Sequence, residues 1–329
     1  MARRLWPLYL VLLIVGLTAA GLWLAQPQRA TPAAAPLVTA APTAELLPIG
    51  SASYCRSNAR FAVAAGLGNV ISASTSERMI KGLVMYDASL QPDQVQLGAP
   101  GVYQHPSWDD AGYLGPVAAD GAGNIYTAPS PRVSLIDNPP EGANTIYRVD
   151  TDSGEMKPLV TLPTPASSSS ANPYGILGLI YDCDTGSLYA STVAGSTRAD
   201  EVGRLYQIDA ASGEILSQHD NVDAIGVAVF NGVTGKRLYF GAARAPEIRS
   251  LALDDRGGLA DDMRTDIILS AVPPYWDLRA RRIVFPARTT DMQVRAVEFN
   301  YNLVAMSETR QADFQFTYDA ETDGWKVVE

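Results

Sequence analysis

The side chains equipped for chemistry in this chain gather in a few irregular stretches. Tyr103, His105, Trp108, Asp109 and Asp110 fall between Pro100 and Leu114, and Arg132 follows in the stretch from Ala128 to Ala143 with Asp137 and Glu141. Arg198 comes next beside Asp200 and Glu201, then Arg244 with Glu247, and finally Tyr275, Trp276, Asp277 and Arg279. Aromatic rings beside arginine make good interaction surfaces, because both bury large area while keeping a polar end satisfied. Nucleophilic catalysis has little support. The only histidines are His105 and His219, no Gly-x-Ser-x-Gly turn is present, and the Ser167 to Ser170 run is low in complexity. Asp109 and Asp110 could serve as acid or base, although adjacent loop carboxylates usually face solvent.

Two further groups invite a ligand reading. Asp150-Thr-Asp152-Ser-Gly154 and Asp182-Cys-Asp184-Thr-Gly186 have the start of a calcium loop but lack its further oxygens and distal Glu, so Asx-type turns are expected there. Cys55 and Cys183 are the whole cysteine complement. An even count in an exported chain permits a Cys55–Cys183 disulfide. Against it, Cys55 precedes the first repeat and Cys183 sits at a turn of the third, and two separate thiols are the alternative.

These stretches need a scaffold, and the rest of the chain describes one. Val117 to Tyr126 reads strand, Asp120-Gly-Ala-Gly-Asn124 turn, strand, and Thr145 to Glu155 adds a third strand ending at a Ser-Gly turn. The same pattern recurs at Leu188-Tyr189 with Leu205-Tyr206-Gln-Ile-Asp209, and at Leu238-Tyr239 with Leu251-Ala-Leu253-Asp254. Repetition on this scale predicts an all-β, radial architecture: a β-propeller of four-stranded blades. Dividing the chain after Ser57 by a blade of about 40–50 residues gives five or six blades, with six preferred. The first blade is expected to use Arg60–Ala64 and Gln94–Leu97 as strands, and Arg282–Phe285 is either the remnant of a fifth blade or an extra strand of a neighbour.

The stretch from Val117 to Tyr126 resembles the strand–turn–strand of NHL-repeat propellers and of the gluconolactonase and strictosidine-synthase-like propellers. The residues Thr127-Ala-Pro-Ser130 depart from the charged residue that NHL repeats place after the second strand. The resemblance implies that tight turns emerge on one face and long loops on the other. It thus assigns Tyr103, His105, Trp108, Asp109, Asp110, Arg132, Arg198, Arg244, Tyr275, Trp276 and Asp277 to one binding face, able to take a protein partner or a small-molecule ligand. It also leaves open a single divalent cation, calcium, in the central channel, although no cofactor is predicted.

The address is legible separately. Leu5 to Ala25 is an uncharged apolar run about long enough to cross a bilayer, preceded by Arg3 and Arg4, so the expected topology is single-pass with a cytoplasmic N-terminus. Cleavage near Thr18-Ala19-Ala20, giving a secreted protein, is the alternative. Residues 1–25 would be the membrane anchor, 26–50 an Ala/Pro/Thr-rich linker and 51–329 the propeller. A formal charge of −10 excludes nucleic acid as a natural partner. The sequence reading is therefore a membrane-anchored binding or scaffolding module; the alternative is an exported metal-dependent lactonase or esterase acting in the central funnel.

Overall fold

A computed structural model describes residues 48–68, 70–75, 80–303 and 310–328. The expected anchor at 5–25 and most of the linker lie outside the described residues. Among the described residues, no helix is long and apolar enough to cross a membrane.

Strand-forming β-branched and aromatic residues, broken by Asp, Gly and Ser turns, build five antiparallel sheets arranged as propeller blades. The chain enters through β1 (Gly50–Ser51) and the short helix α1 (Arg60–Ala64). The first blade holds β2 (Ile71–Ser74), β3 (Val84–Asp87) and β4 (Val102–Tyr103). The second holds β5 (Leu114–Ala119), β6 (Ile125–Pro129), β7 (Thr145–Val149) and β8 (Met156–Thr161). The third holds β9 (Ile176–Asp182), β10 (Ser187–Thr192), β11 (Arg204–Asp209) and β12 (Ile215–Asp220). In the fourth, β13 (Ala224–Gly232), β14 (Gly235–Ala242), β15 (Glu247–Leu253) and β16 (Leu259–Ile268) are joined by β1, which pairs with β13. The fifth holds β17 (Arg279–Val284), β18 (Asp291–Val297), β19 (Gln311–Asp319) and β20 (Gly324–Val327).

Five is the lower of the two expected blade counts, not the preferred six. Long loops lengthen each blade, so dividing the chain by a generic blade size overcounted. Arg282–Phe285 is neither a remnant nor a spare strand: most of it belongs to β17, the first strand of the last blade. Two expected strands of the first blade are also corrected. Arg60–Ala64 is helical, burying Phe61 and Ala62, and the Gln94 region forms a 3-10 turn at Pro92–Gln94 where Pro cannot donate to a sheet ladder. The expected strand from Leu303 to Met306 falls almost wholly outside the described residues.

Cores lie between successive blades. Phe230, Tyr239, Phe285, Met292 and Phe316 join the fourth and fifth, while Tyr126, Ile146, Leu188 and Tyr206 join the second and third. The first strands β5, β9, β13 and β17 pack side by side around the centre. Glycine permits close approach to β17 from both β13 and β14: a Cβ on Gly226 would stand 2.6 Å from the Arg281 carbonyl oxygen, and one on Gly241 would stand 1.9 Å from that of Ala280.

The turns behave as their sequences predict. Asp120 Oδ1 accepts from the backbone N–H of Ala122 and Asn124, and its Oδ2 accepts from Asn124 Nδ2 and the Tyr126 hydroxyl. Asp150 accepts from the N–H groups of Asp152 and Ser153, and Asp182 from that of Asp184, so both calcium-like fragments are Asx turns.

Residues 50–61 form a strap across the tight-turn end. Gly50 and Ser51 pair with Asn231 and Phe230, the Cys183 N–H donates to the Ala52 carbonyl, and the Phe61 N–H donates to the Thr151 carbonyl. Cys55 and Cys183 form a disulfide with their Cα atoms 5.7 Å apart. Sequence order argued against the bond, because it placed Cys55 ahead of the first blade. The strap instead carries it over to the third.

Candidate binding site at the long-loop mouth of the channel

The connections at the end opposite the strap come from four blades and are tied to one another. The Ile176 N–H donates to the Ala143 carbonyl, Asn172 Nδ2 to the carbonyls of Val193 and Ser196, and the Ala243 N–H to the Asp223 carbonyl. Asp223, only 1% exposed, anchors this end. Its carboxylate accepts from Ser196 Oγ at 2.5 Å, from the Gly203 N–H at 3.0 Å and from the Tyr301 hydroxyl. Arg244 stands 3.5 Å from Asp223 and 3.8 Å from Glu201, and donates to the carbonyls of Thr197 and Arg198. Burial and the bond to Asp223 push the Tyr301 phenol well above its ordinary range, so it stays a hydrogen-bond donor.

Beside this network lies a small cavity lined by polar groups from several elements. Arg132, Tyr174, Arg281, Asn300 and Asn302 line a cavity of about 30 Å3, with Leu177 and Phe299 as apolar wall. Arg281 reaches it through a β-bulge: Ala280 and Arg282 pair with the adjacent residues Ala296 and Arg295, leaving Arg281 as the extra residue. Its Nη1 donates to the Leu177 and Ile225 carbonyls at 2.8 Å each, bridging the starts of β9 and β13. Burial, reinforced by the nearby Arg132 charge, pulls the Arg281 guanidinium down to about 10. Burial raises the Tyr174 phenol, an effect that Arg132 and Arg281 partly offset.

A surface depression of about 630 Å3 lies elsewhere, lined by residues of β17, β18 and β19 in the last blade. There Arg295 and Asp313 neutralise each other at 2.9 Å, and the surface is shallow and polar. The cavity at the long-loop end is smaller but draws polar groups from several elements onto an apolar wall, which is the better mark of a binding site.

The structure divides the predicted site residues. Arg132, Arg198 and Arg244 come together at the mouth, where Arg198 Nη2 donates to Asn300 Oδ1 at 3.4 Å. Tyr275, Trp276 and Asp277 occupy the loop leading into β17; Tyr275 is 65% and Trp276 38% exposed, Asp277 pairs with Arg279 at 2.5 Å, and Arg310 sits over the Trp276 ring at 6.0 Å. The first group goes elsewhere. Trp108 is a correction: it is 0% exposed, wedged against Phe61 and Tyr103, with Nε1 donating to the Gly154 carbonyl at 2.8 Å in the β7–β8 turn. His105 Nδ1 bonds the Ser107 hydroxyl, Ser107 caps the start of β8, and Asp109 and Asp110 are exposed on the flanking 3-10 turn. Arg281, Tyr174, Asn300 and Asp223 were missed. For Arg281 no linear signal existed, because the bulge that aims it depends on pairing with β18.

Among the described residues, no three His, Cys, Asp or Glu side chains gather as metal ligands. No family model matches the chain, and no curated protein matches it. Among solved structures it is similar to the PQQ-bound form of an aldose sugar dehydrogenase from Streptomyces coelicolor, at 17% identity over 74% of each chain with a TM-score of 0.40. It is also similar to a glucose dehydrogenase (13% identity, 69% of this chain, 72% of that one, TM-score 0.41) and to the Dos1 propeller (13%, 67%, 50%, 0.39). At such scores the likeness carries no argument about activity. The chain is a β-propeller on the strength of its own five sheets.

Proposed function

We propose that this protein is an extracytoplasmic binding module, held at the membrane by residues 5–25, that takes a small-molecule ligand at the long-loop mouth of its channel. The observation that carries this reading is the convergence of Arg132, Tyr174 and Arg281, from three different blades or their connections, on one partly apolar cavity. Arg132 is exposed and makes no ion pair or hydrogen bond among the described residues, so its guanidinium is open to a ligand at this end. The Cys55–Cys183 bond supports an oxidising compartment. The metal-dependent hydrolase has no observation in its favour.

The test places a photo-reactive amino acid in the full chain, in its native membrane, at Tyr275 on the long-loop face or at Val63 on α1 at the other end. Adducts, read by mass, should form at Tyr275 and not at Val63. Adducts at Val63 alone, or at neither position, would sink the reading; a protein-sized adduct at Tyr275 would exchange the small molecule for a protein partner.

A further inference from the structure

We infer that the ligand of the channel mouth is a small organic anion whose carboxylate lies between Arg281 and Arg132. This deepens the reading above and rests on it. Both guanidiniums face one cavity, and among the described residues neither has a carboxylate within ion-pair distance. Arg281 spends Nη1 on two backbone carbonyls, which fix the planar group, while its Nε and Nη2 have no protein acceptor among the described residues. A fixed guanidinium with free N–H groups is a fork for a carboxylate. The Tyr174 hydroxyl adds a third donor without a partner among the described residues, and its raised pKa keeps the proton on it.

Electrostatics points the same way. Arg281 is half-buried and Arg132 exposed beside it, and burial first, then the Arg132 charge, lowers the Arg281 guanidinium, so an anion placed between them would be favoured by both. Glu298 also lines the cavity but is bound to Arg310 at 2.6 Å, so it does not supply that charge. The volume, about 30 Å3, suits one small head group rather than a whole metabolite. Leu177 and Phe299 next to the arginines suit an apolar or ring-like body attached to that head, which would extend outward among the loops.

The experiment is calorimetric titration of the full chain at low salt with sodium acetate and sodium benzoate, with benzamide and inorganic phosphate as comparators. Saturable binding of benzoate at one site per chain is expected, with benzamide at least about tenfold weaker. Because Arg281 also bridges two strands, R281Q can fail to fold, so R132Q and Y174F carry the test. R132Q should weaken benzoate about tenfold or more without moving the thermal midpoint, and Y174F should weaken it by a smaller factor. The inference is overturned if benzamide matches benzoate, if R132Q binds benzoate unchanged, or if neither carboxylate binds. Phosphate binding more tightly than both would replace the carboxylate with a phosphoryl head. Failure of the carboxylates with adducts persisting at Tyr275 would remove the anion and leave the long-loop reading standing; loss of both would remove both.

Discussion

The two ends of the blades are built from the same strands but hold their charged groups differently. At the tight-turn end the buried Lys236–Asp182 pair is answered, although Arg148 Nε is buried without a partner there. Lys236, almost fully buried, donates to both oxygens of Asp182 at 2.9 and 2.8 Å and stands 2.7 Å from Asp184, while the strap and its disulfide cover the turns. At the long-loop end Asp223 and Arg244 are answered, but Arg132 and Arg281 are left facing a cavity. Burying a charge is costly unless it is paired. The buried Lys236–Asp182 pair thus has a structural role, whereas the half-buried Arg281 and the exposed Arg132 are the groups that the proposed ligand would pair.

That contrast can be broken most sharply at Lys236. K236M leaves the buried Asp182 carboxylate without its counter-charge, with only the Asp184 N–H and the Thr185 hydroxyl as donors, and should lower unfolding free energy by about 3–5 kcal/mol in urea titration, without altering ligand binding in whatever fraction folds. Opening the strap with the double replacement C55S/C183S should cost about 2–5 kcal/mol, and reductant should have the same effect on the native chain but none on the double variant. At the other end, Y301F removes one donor from the Asp223 carboxylate and should cost about 1–3 kcal/mol, because the remaining donors still satisfy most of it. R132Q should lie within about 0.5 kcal/mol of the native stability while removing anion binding, the reverse of the K236M phenotype. If R132Q destabilised as much as K236M, the distinction between the ends would be lost.

The smallest effect concerns pH. Ser212 and its backbone N–H hold the Asp209 carboxyl below the ordinary carboxylate range, and the Ser153 N–H does the same for Asp150. A depressed folded value means that the contribution is present above the unfolded value and is lost as pH falls through the folded one. The urea midpoint should therefore decline between about pH 4 and pH 2, and D209A should flatten that decline slightly. These groups belong to tight turns, so the same pH change should leave the geometry of the mouth intact.

Much of this was readable from the chain. The turn at Asp120-Gly-Ala-Gly-Asn124 carries its own hydrogen-bonding partners within five residues, so its structure is local and its sequence announces it. The placement of Arg132, Arg198 and Arg244 in connections between strands was readable as well, and the structure brings the three to one end. Trp108 misled because an aromatic beside two aspartates in a long loop has the composition of a surface anchor, while its ring is claimed by Phe61 and Gly154, contacts 46 or more residues away in sequence. The helix at Arg60–Ala64 misled because five apolar-rich residues fit either period.

The sequence by itself determined the repeating strands, their turns, the acidic surface and the apolar N-terminal run, since each depends on residue type and near-neighbour spacing. Only the tertiary structure decided the number of blades, the bond between Cys55 and Cys183 across the strap, and the meeting of Arg281 with Arg132. The physical reason is the same in all three. Register across blades and the single bulge at Arg281 set which side chains share the channel, and pairing between strands is a property of two segments at once, which neither segment carries alone.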